Sequence, residues 1–349
     1  MAVNTQTWWQ QGRVVETDDL AEGVRRIVLC PDRPVHAAPG THIDLRLDLS
    51  GHVRKRSYSI VRSEDGGRRL TLGVQLAPSS RGGSRHMHGL RVGDVVEMTG
   101  PVQSFPLGVG ADRYVLVAGG IGITALVAMA DTLRRRGADY TLVLAGRRRA
   151  VMAHLDELVE VHGDRLRVFV DDEDVRLDVE TLVGEIAGSS AAARTEMYMC
   201  GPIRLMDAIR RAWAAHELPE PNLRFETFGS SGAWAAEDFV VHLPQFDRSV
   251  RVGKDSSMLD ALEDAGVDVM WDCRKGECGI CQVKVLDVSG RIDHRDVFLS
   301  QQQKETYASL CLCVARAARG EPGNPGDPGD PGDPGSASAE PAAVTLHLP

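Results

Sequence analysis

Hydrophobic and polar residues alternate strictly in two early segments of the chain, residues 41–49 and 70–76. The apolar positions are Ile43, Leu45, Leu47 and Leu49 in the first segment and Leu70, Leu72, Val74 and Leu76 in the second. A period of two predicts half-buried strands, and turns rich in Gly and Asp separate the predicted strands. We expect an antiparallel β-barrel over residues 1–110, because closing the sheet removes its unpaired edges.

From residue 113 the pattern changes to apolar strands that alternate with helical periods. The first strand, residues 114–117, runs into a glycine turn, and a helical period follows over 125–136. Later strands are predicted at 140–145, 166–170, 196–200 and 223–228, with helices near 151–161, 178–187 and 203–216. This alternation predicts an α/β domain with a parallel sheet over residues 111–229.

A third unit is predicted after a linker of small residues at 230–236. It begins with a hairpin pattern at 239–243 and 249–252, continues with a helix over 256–265 that Gly266 ends, and contains a later strand at 283–288. We assign it to residues 237–319. Glycine recurs at every third position over 320–335, which is too short for a collagen helix. Residues 320–349 are therefore predicted to be a disordered tail rich in Gly, Pro and Asp.

Composition narrows the class of protein. The 349 residues are 43% hydrophobic and 26% charged, with a net charge of −9 and a pI near 5.7. This balance is typical of a globular protein and argues against a nucleic-acid binder. The sequence shows neither an apolar run of membrane-spanning length nor a signal peptide. Five of the seven cysteines lie close together, and free thiols beside a metal site predict the reducing cytoplasm.

The cysteine spacing carries the strongest chemical signal. A C-x4-C-x2-C sequence is followed about thirty residues later by C-x-C, and its members are Cys273, Cys278, Cys281, Cys311 and Cys313. This spacing is typical of a plant-type [2Fe–2S] cluster. Gly276 and Gly279 permit the positive φ angles that such a loop needs. The alternatives are a zinc site and thiols without metal, but structural zinc usually takes two paired short spacings.

Two segments of the first region could bind a phosphorylated ring compound. Arg56 can hold a phosphate, Tyr58 can lie against a planar heterocycle, and Ser59 can donate to the ring edge. An ordinary surface strand is the alternative. The turn that contains Gly82, Gly83 and Ser84 also carries two arginines, and successive backbone N–H groups there can form an anion site. A flexible surface loop is its alternative.

The glycine turn after residue 117 is a candidate nucleotide site. Gly119, Gly120, Gly122 and Thr124 lie between a strand and a helix, the arrangement that places a pyrophosphate on a helix N-terminus. A single glycine motif is weak evidence, but its context is the expected one.

Residues after the second and third strands of this region bear on the kind of dinucleotide. Asp171 and Asp172 can hydrogen-bond an adenosine ribose and would repel a 2′-phosphate. Arg147 and the two arginines after it favour a dinucleotide with a 2′-phosphate. The alternative is that they form a solvated basic turn. Cys200 and Gly201 close the fourth strand at the sheet edge where ligands bind, although a buried structural cysteine is an alternative. Phe228 could cover a ring.

Taken together, these motifs resemble the phthalate dioxygenase reductase family, close to vanillate demethylase reductases, over roughly residues 5–318. The resemblance implies an FMN barrel, an NADH domain and a C-terminal ferredoxin of α+β, β-grasp-like fold. It assigns residues 56–59 and 81–84 to FMN, and residues 119–124, 200–202 and 225–228 to NADH and hydride transfer. Ala125 replaces the family's usual Pro. The run after Cys313 fits the family pattern, so the resemblance makes Cys313 the fourth iron ligand and Cys311 a packed thiol.

The resemblance implies electron transfer from NADH through FMN and the cluster to an oxygenase component that accepts single electrons. That oxygenase is expected to be a Rieske-type enzyme acting on an aromatic acid. The chemistry belongs to the cofactors, so no side chain is assigned as a general acid or base. Two alternatives stay open: a reductase for a haem-thiolate monooxygenase, and a non-enzymatic iron–sulfur redox sensor. Neither a membrane nor a nucleic acid is expected as a partner.

Overall fold

The computed structural model describes residues 8–49, 51–77, 82–228, 232, 234–319 and 341–348. The chain divides into two compact units, Met1–Glu226 and Thr227–Pro349. The first unit contains the barrel and the parallel sheet, and the second contains the cysteine loop. Among the residues just given, no helix is both long and apolar enough to cross a membrane.

Seven strands form the barrel sheet. They are β1 (Trp9–Ala21), β2 (Val24–Pro31), β3 (Thr41–Leu49), β4 (His52–Glu64), β5 (Arg69–Gln75), β6 (Val95–Thr99) and β7 (Val102–Gln103). Their order is β4-β5-β2-β1-β6-β3-β7, and a further pairing of β3 with β4 closes the ring. Helix α1 (Gly83–Gly89) lies between β5 and β6 in the chain. The antiparallel pairing confirms the predicted barrel.

The predicted alternation in residues 41–49 holds on its apolar side only. Ile43, Leu45 and Leu47 are buried in the barrel core, as predicted. His42 and Asp44 occupy the opposite face, which we expected to be solvated, yet both are also buried. Buried polar groups need hydrogen-bond partners, so these two residues mark a polar network outside the apolar core.

The second layer of the first unit is a five-stranded parallel sheet with order β10-β9-β8-β11-β12. Its strands are β8 (Arg113–Gly119), β9 (Tyr140–Gly146), β10 (Leu166–Val170), β11 (Thr195–Cys200) and β12 (Leu223–Glu226). Its helices are α2 (Ile123–Arg135), α3 (Leu155–His162), α4 (Val179–Ala187) and α5 (Ile203–Ala215). This confirms the predicted α/β architecture. The last strand ends at Glu226, before the predicted residue 228.

The second unit is an α+β fold with a five-stranded mixed sheet of order β14-β13-β19-β15-β17. Its sheet strands are β13 (Phe239–Leu243), β14 (Arg248–Val252), β15 (Gln282–Ser289), β17 (Ser309–Cys311) and β19 (Ala342–His347). A separate pair consists of β16 (Arg291–Asp293) and β18 (Arg316–Ala318), and the helices are α6 (Met258–Asp264) and α7 (Gln301–Glu305). Ser257 caps α6, and Gly266 follows it with φ +71°.

The predicted disordered tail over 320–349 is wrong for its last part. Strand β19 runs parallel to β13 and antiparallel to β15, so it occupies the centre of the sheet. Ala342, Val344 and Leu346 are buried, a period of two that the neighbouring Gly-Asp-Pro repeats hid. Residues 320–340 lie outside the described residues and separate β18 from β19 in the chain. Residues 230, 231 and 233 of the predicted linker, 230–236, are likewise outside them.

Candidate functional site

The cysteines of the second unit are brought together by one loop and one turn. Cys273 and Cys278 are partly exposed in the loop between α6 and β15, whereas Cys281, Cys311 and Cys313 are buried. Sγ of Cys281 lies 3.3 Å from Sγ of Cys313. The spacing noted in the sequence thus corresponds to sulfur atoms from two separate segments that meet in space.

Two glycines allow the loop to fold tightly. Gly276 has φ +80° and Gly279 has φ +73°, which confirms the predicted need for positive φ. A side chain on Gly276 would bring its Cβ to 2.7 Å from Cγ2 of Val314 and 2.9 Å from Cα of Asp296. A Cβ on Gly279 would overlap the ring of Phe298. Both positions therefore exclude larger residues by conformation and by packing.

Backbone donors surround Cys273. The N–H groups of Lys275 and Glu277 each donate to its Sγ at 3.4 Å. The Cys313 thiol, followed by the backbone N–H groups of the loop, lowers the pKa of Cys273 to about 4, against the opposing effect of burial. A thiolate, the form that ligates metal, is therefore stabilised at this position.

Arg274 braces the loop, a role that the sequence did not reveal. It adopts φ +53°, which is unusual for a residue other than glycine. Its Nη1 donates to Asp260 at 2.8 Å, and its Nη2 donates to both carboxylate oxygens of Glu263 at 2.8 and 2.7 Å. Its guanidinium also lies 3.7 Å from the ring centroid of Trp271. Helix α6 thereby holds the first half of the cysteine loop.

The two candidates for the fourth ligand are not equivalent in backbone conformation. Strand β17 ends at Cys311, and Cys313 lies in the turn that follows. The N–H groups of Val314 and Ala315 donate to the carbonyl of Cys311 at 3.2 and 3.0 Å and close that turn. Cys311 and Cys313 therefore do not lie in one extended strand.

The thiol set fits a two-iron cluster better than a single metal ion. Among the described residues, no group of three or more His, Cys, Asp or Glu side chains has the arrangement that holds one ion. A [2Fe–2S] cluster takes its four cysteines as two pairs, one pair on each iron. Cys281 and Cys313, whose Sγ atoms lie 3.3 Å apart, form one such pair, which leaves Cys273 and Cys278 of the loop for the other.

The candidate phosphate-binding residues of the barrel lie next to each other. Arg56, Tyr58 and Ser59 lie in the middle of β4. Gly82 has φ +84° and precedes α1. A Cβ on Gly83 would lie 3.1 Å from Cγ and Nε of Arg56. The absence of a side chain at Gly83 thus lets Arg56 lie along the start of α1.

The predicted alternative of a flexible loop at 82–84 does not describe this segment. Gly83 and Ser84 begin α1, and the hydroxyl of Ser84 accepts the N–H of Ala77 at 3.1 Å. Arg81 lies outside the described residues. Tyr58 on the adjacent strand is largely enclosed, and burial raises the pKa of its hydroxyl, with Arg56 opposing the rise.

A buried polar network adjoins Ser59, and sequence patterns missed it. Glu226, at the end of β12, accepts hydrogen bonds from Ser59 at 3.4 Å and from Ser104 at 3.2 Å. Nδ1 of His42 lies 3.2 Å from the Ser104 hydroxyl. Because Ser59 and Glu226 are far apart in the chain, neither period nor spacing could have linked them.

The same network continues to Asp44, which explains its burial. Asp44 accepts hydrogen bonds from the Ser57 hydroxyl at 2.5 Å and from Nζ of Lys55 at 2.9 Å. Burial alone would raise the pKa of Asp44, but the Ser57 hydroxyl and the Lys55 ammonium lower it below its usual value. The carboxylate is therefore ionised and paired at neutral pH.

The glycine turn after β8 packs against the end of β11. Ala118 pairs with Cys200 in the parallel sheet. A Cβ on Gly122 would overlap the carbonyl of Cys200, and one on Gly119 would come close to the ring of Pro202. These glycines are thus required by packing between neighbouring strands, in addition to any approach of a ligand.

Two residues of the same turn have other surroundings. Gly120 has φ +53°, and no atom of the described residues lies within 4 Å of a Cβ built on it. The backbone of Gly120 is therefore accessible to a ligand. Thr124 is buried at the start of α2, and its hydroxyl donates to the carbonyl of Ile121 at 2.9 Å. Gly201 lies beside this turn, with Gly119 as the nearest neighbour of a Cβ placed there.

The charged residues after β9 and β10 are neighbours at the carboxyl edge of the sheet. The N–H of Asp172 donates to the carbonyl of Arg147 at 3.1 Å. Arg149 forms two hydrogen bonds to Glu173, at 2.6 and 2.9 Å, and Arg148 pairs with Glu22 at 3.0 Å. Two of the three arginines are therefore held by carboxylates, while Asp171 and Asp172 are exposed.

Phe228 follows this sheet and belongs to the second unit. It is partly buried, and the N–H of the preceding Thr227 donates to Glu277 of the cysteine loop at 2.7 Å. Its predicted contact with a ring near Cys200 stays a prediction.

Known protein families match both units. A family model described as a 2Fe-2S iron-sulfur cluster binding domain matches residues 241–318, and a model described as an oxidoreductase FAD-binding domain matches residues 11–106. The phenoxybenzoate dioxygenase subunit beta of Ectopseudomonas oleovorans is 37% identical to this chain over 277 residues, which cover 78% of this chain and 83% of that protein.

Two solved structures resemble the whole chain. Phthalate dioxygenase reductase, described as a modular structure for electron transfer from pyridine nucleotides to [2Fe–2S], is 27% identical with a TM-score of 0.69, covering 97% of this chain and 98% of that one. An intact type IV self-sufficient cytochrome P450 monooxygenase is 34% identical with a TM-score of 0.61. The match covers 97% of this chain but 41% of that protein, so this chain spans less than half of it.

Proposed function

Because the chain belongs to the phthalate dioxygenase reductase family, we propose that it passes electrons from NADH through FMN and a [2Fe–2S] cluster to an oxygenase component. The chain is an oxidoreductase, the reductase component of an oxygenase system, with a flavin-binding barrel, a nucleotide-binding sheet and a 2Fe-2S domain. The observation that carries the proposal is the meeting of the loop cysteines with Cys313, together with a flavin-type barrel in the same chain.

The cluster ligands in this proposal are Cys273, Cys278, Cys281 and Cys313. When bound, the cluster accepts and donates one electron at a time. The loop donates N–H groups to Cys273, and Arg274 fixes the loop to α6. Hydrogen bonds to the sulfur ligands stabilise the reduced cluster, which carries one more negative charge than the oxidised cluster. Both thiols lie against Cys281, but that of Cys313 also contacts Cys273, so Cys313 is assigned as the ligand and Cys311 is assigned a packing role.

The flavin of the proposal is FMN, bound by Arg56, Tyr58, Ser59 and residues 82–84. A single terminal phosphate can take a guanidinium from Arg56 and backbone N–H groups from the start of α1, which lie side by side. Tyr58 offers an enclosed aromatic face, and Ser59 is held by Glu226. Glu226 also accepts a hydrogen bond from the Ser104 hydroxyl, so one carboxylate orients both serines.

NADH is proposed over NADPH. Gly119, Gly120, Gly122 and Thr124 would receive the pyrophosphate, with Cys200, Gly201 and Phe228 near the nicotinamide. The exposed carboxylates of Asp171 and Asp172 favour a free ribose 2′-hydroxyl. Glu173 and Glu22 neutralise Arg149 and Arg148, which weakens the alternative that those arginines bind a 2′-phosphate. Arg147 remains exposed beside Asp172 and can contact the adenosine.

The acceptor in the proposal is a Rieske-type oxygenase with an aromatic substrate, because the relative named above is a subunit of an aromatic dioxygenase. One observation favours a second candidate, a haem monooxygenase: the P450 protein that this chain resembles at 34% identity. The proposed location is the reducing cytoplasm, and the free cysteines beside the candidate metal site support it.

The proposal is tested by the content of the purified full chain. We expect about two irons and two sulfides per chain, FMN as the extracted flavin, and a higher kcat/KM with NADH than with NADPH. Extraction of FAD would contradict the phosphate-site argument at Arg56 and Gly83. A preference for NADPH would indicate that Arg147–Arg149 bind the 2′-phosphate. Zinc in place of iron would exclude the proposed electron path.

A further inference from the structure

Asp296 and Lys304 form a buried charged pair in the second unit. Asp296 is fully buried and Lys304 is 7% exposed. Nζ of Lys304 donates to the backbone carbonyl of Asp296 at 2.6 Å, and the Asp296 carboxylate accepts the N–H of Leu299 at 2.8 Å. Burying two charges costs several kcal/mol per ion unless close partners compensate. Stability alone is therefore a weak reason for this pair.

Asp296, to which Lys304 donates, lies directly against the cysteine loop. The N–H of Val297 donates to the carbonyl of Gly276 at 3.0 Å. Cα of Asp296 lies within 2.9 Å of the place that a Cβ of Gly276 would occupy. Gly276 lies between Cys273 and Cys278 in the loop. Asp296 and its neighbours thus form one wall of the loop that we assign to the cluster.

The Asp296 carboxylate is ionised. Burial alone would raise the pKa of Asp296, but the contact with His294, the charge of Lys304 and the N–H of Leu299 lower it below its usual value. Nδ1 of His294 lies 3.6 Å from Oδ1 of Asp296, and both ring nitrogens of His294 are buried without a hydrogen-bond partner among the residues that the structure describes. The wall of the loop therefore carries the Asp296 carboxylate, and Lys304 Nζ is hydrogen-bonded to the backbone carbonyl of the same residue.

We propose that Asp296 and Lys304 set the reduction potential of the cluster held by this loop, acting in opposite directions. Reduction adds one electron, delivered by the flavin, and so adds one negative charge to the cluster. A buried ammonium nearby stabilises the reduced state, whereas a buried carboxylate destabilises it, because charges in a protein interior are weakly screened. The inference rests on the proposed function in that it requires a [2Fe–2S] cluster in the loop.

The test is a redox titration of the full-length protein at fixed pH, followed by electron paramagnetic resonance of the reduced cluster. Asp296→Asn should raise the midpoint potential, and Lys304→Met should lower it. We expect each change to be near tenfold in the ratio of reduced to oxidised cluster at a given potential, about 59 mV for one electron. The double variant should return toward the original value.

Matched controls on the same unit are Asp287→Asn and Lys284→Met, because both side chains are exposed on β15. Each should change the ratio less than twofold. Lys304→Arg keeps the charge and should keep the potential. Single variants that shift the potential in the same direction would indicate a purely structural role and overturn the proposal. So would an unchanged potential in Asp296→Asn, which suffices if Lys304→Met does not fold.

Failure of the proposed function would look different. In that case the original chain would contain no iron and sulfide, and there would be no cluster potential to measure. Normal cluster content with charge-independent potentials would leave the proposed function intact and remove only the role of Asp296 and Lys304.

Discussion

The two units build their candidate sites in different ways. In the second unit, three of the candidate cluster cysteines lie within residues 273–281. Glycines in the same stretch allow the loop to turn. The polar network of the first unit joins Ser59 of β4 to Glu226 of β12, 167 positions apart. A site specified by local spacing is visible in the sequence. A site assembled by tertiary contacts becomes visible only in the folded chain.

The largest predicted effect comes from a substitution that destroys the second unit's site and leaves the first unit's site intact. Cys278→Ser should abolish the visible spectrum of the cluster and electron delivery to the oxygenase, because a hydroxyl does not replace a thiolate ligand. Reduction of ferricyanide by NADH should persist, since the flavin and nucleotide sites lie in other residues. Cys30→Ala is the control. Loss of both activities with flavin still bound would contradict the separation of the two sites.

Next in size is Gly276→Ala, which tests the local shaping of the loop. We expect it to lower the free energy of unfolding of the second unit by about 3 kcal/mol, since it combines a strained φ with overlap onto Val314 and Asp296. Gly266→Ala is matched, because Gly266 lies in the same unit and has φ +71° but open surroundings. It should cost about 1 kcal/mol. Urea unfolding of both variants measures the difference, and equal costs would show that packing against Asp296 is unimportant.

The sequence predicted most of the fold because hydrophobic periodicity and turn-forming residues are local properties of the chain. Strands β3, β9, β10 and β11 and helices α4 and α5 follow the predicted pattern closely. The failure at β19 has a physical reason: six alternating residues after a long Gly-Asp-Pro stretch form a strand only because β13 and β15 pair with it.

The candidate sites differ in the same way: local sequence features were predictable, and partners brought together by tertiary contacts were not. The cysteine spacing and the glycines of the loop were sufficient to predict the loop. The burial of Asp44 was not predictable, because its partners Ser57 and Lys55 lie on another strand. Arg274 was equally hidden, since it acts through the charges of α6. Such partners are chosen by the tertiary structure and leave no periodic signal.

A smaller effect probes the first unit through pH. The lowered pKa of Asp44 means that its pairing stabilises the fold above the unfolded-state value near 3.8, and that this contribution is lost as the pH falls through the folded-state value. Asp44→Asn should therefore lower the free energy of unfolding at pH 7 by about 2 kcal/mol, and by less at pH 3. Chemical unfolding at both pH values checks this. The exposed Asp19→Asn should change neither, and a deficit that is constant with pH would contradict the role of the charge.

The smallest effect is expected at Cys311, and Cys313→Ser provides the contrast. Cys311→Ala should retain the cluster spectrum and lose about 1 kcal/mol of stability by leaving a small cavity. Cys313→Ser should lose or distort the cluster. The reverse pattern would give the ligand role to Cys311, and an intact cluster in both variants would mean that the two can replace each other.

An anaerobic titration of the full chain with NADH tests the central claim most directly. The claim is that the spatially assembled flavin site feeds the locally specified cluster site. We predict bleaching of the flavin absorbance together with the appearance of the electron paramagnetic resonance signal of a reduced [2Fe–2S] cluster. Flavin that is reduced while an intact cluster stays oxidised, with no signal even under excess NADH, would contradict the account.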